Sequence, residues 1–265
     1  MVKGIDKFRE IFKYFTDNYV IIGGTACDVA LSGTIMKPRA TDDIDMILIV
    51  ENMTTEFTKT FWKFIKEGGY KKEKRKRGEG KTPAYELYRF EDGDEGYPVK
   101  IELLSRHSDI LGQPSGFHIE PIPAGEDVSS LSAIMMDEAY YNLTIENSYI
   151  KDSVRYASPL ALICLKVKAY LNLTADRASG RQVNTKDIKK HRTDVLKLVA
   201  TTAFDEPVIV KKDILEFIGK FIVEMRNLID KRPQSLTDAL QSTADDINAY
   251  LDVLEDAFVT NDERQ

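Results

Sequence analysis

The sequence predicts a mixed-sheet α/β core, of the α+β type, followed by an all-helical C-terminal domain. Up to about residue 105, short runs of β-branched and aromatic residues alternate with amphipathic helical patterns. From 106 to 150 the chain is rich in glycine and proline, which predicts loops. After Pro159 nearly every stretch has helical spacing. We therefore expect an α/β core at 1–155 and a helical domain at 156–265.

The core is predicted to begin with a helix, a strand, a second helix and a second strand. Apolar residues recur at helical spacing before Tyr19, which predicts a short amphipathic helix. The β-branched and aromatic run 19–22 predicts a strand that two glycines end, and 25–31 then has a helical pattern. The apolar run 44–50 predicts a buried strand.

The rest of the core is predicted to contain one more helix and several strands. A helix is expected from Thr54 to Lys66, with a threonine cap at its start and glycines at its end. Strands are expected at 84–90 and 99–104, and possible strands at 117–122 and 143–146.

Beyond the core, four helices are expected, and Pro207 and Pro233 separate the later ones. Pro159 suits the first turn of the first helix because a proline there loses no helical hydrogen bond. The predicted helices are 160–173, 185–201, 211–230 and 236–259.

Composition narrows the classes of protein that the chain can represent. No apolar run approaches the roughly 20 residues needed to span a bilayer, and the first residues are charged, so we expect a cytoplasmic protein with no membrane partner. Cys27 and Cys164 are far apart and are expected to be buried thiols. The three histidines are scattered, which argues against a zinc-hydrolase cluster or a serine triad.

The strongest chemical signal begins where the first strand meets the glycine pair Gly23-Gly24. Glycines at such a turn let backbone N–H groups approach phosphate oxygens, and the following helix adds the positive end of its dipole. Thr25 would add a hydroxyl donor. Asp43 and Asp45 follow at the head of the next strand. This arrangement predicts a phosphate site beside a metal site.

Asp43 and Asp45 are two residues apart, so on a strand their carboxylates project from one face. Asp42 is expected to point the other way. Sites with two metal ions for phosphoryl transfer usually have a third carboxylate, and Glu102 is the candidate because an acidic side chain within an apolar strand is costly unless paired or metal-bound. It could also act as general base. The alternative is that Glu102 lies on a solvated face beside Lys100.

The pattern Gly23-Gly24-Thr25 followed by Arg39-x-Thr41-x-Asp43-x-Asp45 resembles the polymerase-beta-like nucleotidyltransferase superfamily. Farther along, Lys166 on a predicted helix and the pair Lys186-Asp187 resemble the AbiEii/AbiGii type of nucleotidyltransferase toxin. This resemblance covers the chain to about residue 200. Thr25 and Thr41 stand where serine is frequent in the family, and threonine keeps the hydroxyl.

The resemblance implies a set of ligands and roles. Asp43, Asp45 and Glu102 would bind two Mg²⁺ ions, for which Mn²⁺ could substitute. The turn at Gly23, Gly24 and Thr25, with Thr41, would hold the substrate, a nucleoside triphosphate such as ATP, GTP or CTP. Lys166 would contact the phosphates, and Asp187 would orient a catalytic group or assist at the nucleotide.

The helical part of this assignment leaves two alternatives. Lys168 competes with Lys166, because on a helical wheel it lies nearer the apolar stripe, whereas Lys166 better matches the family spacing. Asp187, His191 and Asp194 recur at positions i, i+4 and i+7, which predicts a local ion-pair ladder on one helix face.

Partners follow from charge and from the resemblance. A basic segment from Lys166 to Lys197, an acidic tail and the basic run 71–77 suit a site that handles a polyanion, although solvated surfaces would look the same. The resemblance suggests an RNA or tRNA acceptor and the toxin of a toxin–antitoxin pair, with an antitoxin protein as partner. The alternatives are adenylyl transfer to a small molecule such as an antibiotic, and a degenerate, non-catalytic nucleotide-binding module.

Overall fold

The computed structural model describes residues 2–39, 41–72, 86–105, 122–123 and 137–261. The chain forms two compact units, one made of Met1–Val29 with Arg39–Ser158 and the other of Ala30–Pro38 with Pro159–Gln265. The first unit is mixed α/β and the second is largely helical, which confirms the predicted mixed α/β class with helices toward the C-terminus. Among the described helices, none combines the length and apolar composition needed to cross a membrane.

The first unit is built on one mixed sheet. Its strands are β1 (Tyr19–Ile22), β2 (Asp43–Leu48), β3 (Lys71–Lys72), β4 (Glu86–Glu91), β5 (Lys100–Ser105), β6 (Ile122–Pro123), β7 (Ser148–Lys151) and β8 (Val154–Ala157). The order is β3-β4-β5-β2-β1-β8-β7, with β6 beside β4. Strand β2 lies near the middle, antiparallel to β1 and parallel to β5.

Four helices of the first unit are described: α1 (Ile5–Phe12), α2 (Gly23–Leu31), α3 (Thr55–Glu67) and α4 (Glu138–Glu146). Helix α3 begins as predicted, because the side chain of Thr54 accepts a hydrogen bond from the Phe57 N–H at 3.1 Å. Helix α2 follows β1 without an intervening loop. Strand β2 ends two residues earlier than expected, since the chain then turns into a short 3₁₀ helix at Val50–Asn52.

An aromatic core covers one face of this sheet. Phe12 of α1 is fully buried, with ring centroids 5.2 Å from Phe64 and 5.9 Å from Phe57, both of α3. Tyr19 of β1 and Phe90 of β4 reach the same layer. Each buried ring contributes roughly 1.5–3 kcal/mol. Because strand residues alternate between faces, this packing directs the neighbours of Tyr19 and Phe90 to the opposite face.

The second unit contains helices α5 (Pro159–Ala178), α6 (Thr185–Thr201), α7 (Lys212–Lys231), α8 (Gln234–Leu240) and α9 (Ala244–Asp256). Two short strands, β9 (Val208–Ile209) and β10 (Phe258–Val259), pair in parallel. The first three helices lie where the sequence predicts them. Cys164 and, in the first unit, Cys27 are buried thiols as expected, and burial raises the pKa of Cys164 to about 12.

Two predicted elements are wrong. Residues 143–146 form the end of α4 rather than a strand, because Asp137 caps the helix at the Ala139 N–H and Thr144 bonds back to the Tyr140 carbonyl. The expected helix 236–259 is interrupted. Gln241 adopts φ 53° and Thr243 forms a capping box with Asp246, so α9 starts anew, and the last two residues of the predicted helix form strand β10.

Some predictions fall on residues that the structure does not describe. These are the strand at 117–122 except its last residue, the beginning of the strand at 84–90, and most of the basic run 71–77. The described part of the predicted 84–90 strand is β4, and the predicted 99–104 strand is β5.

A buried ion pair lies in the core of the second unit. Lys166 of α5 donates a hydrogen bond from Nζ to Asp194 Oδ2 of α6 at 2.7 Å, and the two side chains are only 2% and 5% exposed. The expectation that Lys168 lies nearer the apolar core is wrong. Helix α5 is buried all the way around from Ala161 to Val167, so a single apolar stripe does not describe it, and Lys168 instead lies over the Phe217 ring at 5.0 Å.

We predict that Lys166→Ala lowers the free energy of unfolding by about 3–5 kcal/mol, because it leaves the Asp194 carboxylate buried without its cation. The double variant Lys166→Met, Asp194→Leu should recover most of this loss, since no buried charge remains. Urea unfolding followed by circular dichroism measures both. Lys168→Met is the control and should lose less than about 1 kcal/mol. Equal losses in Lys166→Ala and Lys168→Met would contradict the prediction.

Candidate functional site

The register between two parallel strands brings the three predicted carboxylates together. In the β2–β5 pair, Asp45 lies opposite Glu102 and Asp43 lies opposite Lys100. Residues opposite each other share a face of the sheet, as do residues two apart on one strand. Asp43, Asp45, Glu102 and Lys100 therefore occupy one face, and it is the face opposite the aromatic core.

Two cations balance this acidic face. Glu102 Oε1 accepts hydrogen bonds from Arg89 Nε of β4 at 2.9 Å and from Lys100 Nζ at 3.2 Å. Lys100 Nζ also lies 3.0 Å from Asp43 Oδ2. The Glu102 side chain is 7% exposed and that of Asp43 is 39% exposed. Glu102 is thus a buried, paired carboxylate, and the alternative of a solvated face is wrong, although Lys100 is indeed its neighbour.

The electrostatic field of the carboxylates acts on Lys100. Burial alone lowers the pKa of this ammonium group, but Glu102, Asp43 and Asp45 together raise it by more, so the pKa lies above its ordinary value. Lys100 therefore keeps its positive charge and interacts with all three carboxylates.

The glycine turn lies against the carboxylate cluster. Gly23, the first residue of α2, has φ +69°, and a Cβ at this position would overlap Oδ2 of Asp45. A Cβ on Gly24 would lie 2.8 Å from Thr41 Oγ1 and 3.1 Å from Arg39 Nη2. The two halves of the sequence pattern, separated by about twenty residues of chain, thus meet in space.

The geometry of this turn suits an anion held together with a cation. The first N–H groups of α2 have no partner within the helix, and they carry the positive end of the helix dipole. The space that side chains at Gly23 and Gly24 would take is filled by the Asp45 carboxylate, the Thr41 hydroxyl and the Arg39 guanidinium group, so the backbone of the turn lies directly against Asp45.

Thr25 has a different partner from the one expected. Its side chain is fully buried, and its hydroxyl donates to the backbone carbonyl of Asp43. The hydroxyl proton is therefore used inside the fold, where it ties α2 to the start of β2. Thr25 thus holds the backbone at Asp43, while its expected contact with a phosphate stays a prediction.

The donor set fits a hard divalent cation. Asp43, Asp45 and Glu102 offer only carboxylate oxygens, which Mg²⁺ and Mn²⁺ prefer. In the described part of the chain, no group of three His, Cys, Asp or Glu side chains is already arranged to hold a metal ion. Lys100 Nζ lies between Asp43 and Glu102 instead. The shared face and the ligand chemistry fit magnesium, while the side chains adopt a charge-paired arrangement.

The two site residues predicted in the helical unit, Asp187 and Lys166, have different surroundings. Asp187 is in the first turn of α6, is 42% exposed and pairs with Lys190 at 2.9 Å. Lys166 of α5 is buried against Asp194, which lies two helical turns after Asp187 on α6. On the helix face where an ion-pair ladder is expected, His191 and Asp194 are both buried, and Asp194 pairs with Lys166 of α5.

Two residues have partners that sequence reasoning did not name: Asp194 pairs with Lys166, and Arg89 pairs with Glu102. Asp194 carried a signal, since it lies at i+7 from Asp187 and next to the apolar residues Val195 and Leu198. Arg89 carried none, because its place beside Glu102 depends on the antiparallel register of β4 and β5.

We predict that Gly23→Ala destabilises the protein more than Gly33→Ala. Both glycines have positive φ, so both substitutions carry a backbone cost of about 1–2 kcal/mol. Only at Gly23 does the added methyl group collide with a carboxylate; nothing lies within 4 Å of a Cβ on Gly33. Thermal unfolding of the two variants should show a larger loss for Gly23→Ala, by at least about 1 kcal/mol. Equal losses would mean that the glycine turn has room to spare beside Asp45.

Function has to be inferred from the carboxylates, the glycine turn and the ion pairs of the first unit, together with the sequence pattern. Comparison of the chain with models of known protein families, with curated proteins and with solved structures finds no match.

Proposed function

We propose that the chain is a magnesium-dependent nucleotidyltransferase that moves a nucleoside monophosphate from a nucleoside triphosphate to an acceptor hydroxyl. The observation that carries the proposal is the pairing of Asp45 with Glu102, with Asp43 on the same face and the Gly23 turn against Asp45. Such a set combines carboxylates for a metal with a helix N-terminus for phosphate.

Each residue has a role that follows from its position. Asp43 and Asp45 are the metal ligands on β2, and Glu102 is the third ligand on β5. Magnesium, when bound, supplies the charge that stabilises the triphosphate and the leaving pyrophosphate. Thr25 holds the backbone at Asp43, and the turn at Gly23 and Gly24 binds the triphosphate through the N–H groups of α2.

Arg89 supports this arrangement by fixing Glu102. Its Nε–Oε1 bond of 2.9 Å orients a carboxylate that is otherwise buried, so Glu102 can coordinate a metal or accept the acceptor's proton without searching rotamers. Lys166 is left out of the phosphate site in this proposal, because its ammonium group is buried against Asp194.

The identity of the acceptor rests on the sequence resemblance. A member of the AbiEii/AbiGii type would modify RNA, such as the end of a tRNA, and would act as the toxin of a pair with an antitoxin protein. The described part of the basic run, Lys71–Lys72, forms strand β3, which stands at one end of the described strand order, and the charge of the run in the sequence suits contact with a polyanion.

We predict that the protein labels RNA when it is incubated with magnesium, total cellular RNA and each α-labelled nucleoside triphosphate in turn. Asp43→Asn should lower this labelling more than about 100-fold, because a lost metal ligand removes several kcal/mol of transition-state stabilisation. Gel separation of the labelled RNA gives the rates, and parallel reactions with aminoglycosides and lincosamides test a small-molecule acceptor.

Asp42→Asn is the matched control, since Asp42 is exposed and directly precedes β2. It should keep nearly full activity. Labelling of an antibiotic but not of RNA would move the assignment to a small-molecule transferase. If no acceptor is labelled although the nucleotide binds, the non-catalytic module is favoured. Growth arrest on expression that Asp43→Asn relieves would support a toxin, and arrest that persists would refute a catalytic toxin.

A further inference from the structure

Lys100 occupies a position at the carboxylate cluster that no part of the proposed reaction has used. Its Nζ lies 3.0 Å from Asp43 Oδ2 and 3.2 Å from Glu102 Oε1, so one ammonium group bridges two of the three proposed metal ligands. Its side chain is 26% exposed, whereas Glu102 is only 7% exposed. Lys100 is thus the more accessible member of the pair.

The bridge offsets the repulsion among three carboxylates that share one face of the sheet. Like charges on neighbouring strands repel each other, and Asp45 lies directly opposite Glu102. Arg89 binds Glu102, and Lys100 binds Glu102 together with Asp43. Without Lys100, Asp43 loses the cation that the structure gives it.

The same bridge conflicts with a bound divalent ion. Magnesium would sit about 2.0–2.1 Å from carboxylate oxygens, and the ammonium group already contacts oxygens of Asp43 and Glu102. Two cations within a few ångströms of the same oxygens repel strongly in a partly buried site. The metal and Lys100 cannot both keep their best contacts with these carboxylates.

We propose that Lys100 is a displaceable internal cation, which bridges Asp43 and Glu102 in the metal-free protein and swings to the triphosphate when a divalent metal takes its place. The inference rests on the proposed function, since it concerns the same carboxylates. Lys100 shares their face of the sheet and has a long flexible stem, so its ammonium group can leave the carboxylates and still reach a phosphate bound in front of them.

The test is to measure two affinities that should move in opposite directions in Lys100→Met. Mn²⁺ alone, titrated into nucleotide-free protein and followed by the EPR signal of the free ion, should bind about tenfold more tightly than to wild type. A non-hydrolysable nucleoside triphosphate, titrated by calorimetry in saturating Mn²⁺, should bind about tenfold more weakly. A lysine with a purely structural role would not produce this opposition.

Two variants serve as controls. Lys100→Arg keeps the positive charge and should bind Mn²⁺ about as weakly as wild type. Lys151→Met removes an exposed lysine from β7 and should change neither affinity. The inference is overturned if Lys100→Met binds Mn²⁺ no more tightly than wild type, or if it binds the nucleotide equally well. If neither wild type nor Lys100→Met binds Mn²⁺ at all, the proposed metal-dependent function itself fails.

A measurement on the wild type decides the matter if Lys100→Met does not fold without metal. In protein labelled with ¹⁵N-lysine, the ammonium resonance of Lys100 is identified by its loss in Lys100→Arg. Held between two carboxylates, this ammonium group should give an observable signal in metal-free protein, and the signal should shift or vanish as Mg²⁺ is added. A signal that stays constant at saturating Mg²⁺ would overturn the inference.

Discussion

The parallel register between β2 and β5 is the constraint on which the candidate site depends. It sets Asp45 opposite Glu102 and Asp43 opposite Lys100, so three carboxylates and one ammonium group share one face of the sheet. A shift of one residue would move Glu102 into the aromatic core and Ile101 to the acidic face. Burial of the apolar side chains on one face thereby fixes the positions of the charged side chains on the other.

The apolar side chains of that face are buried in the aromatic core. Phe12 of α1 packs against Phe64 of α3, and Phe90 of β4, which lies opposite Ile101 of β5, packs against Phe61 of α3. Because Arg89 immediately precedes Phe90, the burial of one ring also places a guanidinium group beside Glu102. Packing on one face and charge pairing on the other are therefore two effects of the same strand alternation.

Much of this was predictable from local sequence. The caps and glycines gave α3, and the spacing of Asp43 and Asp45 gave their common face, because both depend on neighbours within a few residues. The identity of the partners was not predictable in the same way. Arg89 reaches Glu102 only through a strand register, and Thr25 reaches the Asp43 carbonyl only through a turn.

The misjudged elements failed for related reasons. Helical-wheel reasoning placed Lys168 inward because it assumes one buried stripe, whereas α5 is buried on all sides from Ala161 to Val167. Lys166 is buried there because the carboxylate of Asp194 on α6 pairs with its ammonium group. The break before α9 was readable from Thr243 and Asp246, three residues apart, which form a capping box within an otherwise continuous helical pattern. The position of Lys168 depends on tertiary contacts, whereas the break before α9 was marked by a local signal that was overlooked.

The short segment Ala30–Pro38 gives the molecule a discontinuous plan. It lies between the glycine turn and Arg39 along the chain, yet it belongs with the helical unit, where Lys197 Nζ donates to the Lys37 carbonyl at 2.8 Å. The chain crosses from one unit to the other at three points. Neither unit is therefore encoded by one uninterrupted stretch, and the two halves of the nucleotidyltransferase pattern are joined by a segment packed in the helical unit. A gene fragment that ends at Ser158 would keep every proposed metal ligand, but it would lack the helices of the unit to which residues 30–38 belong.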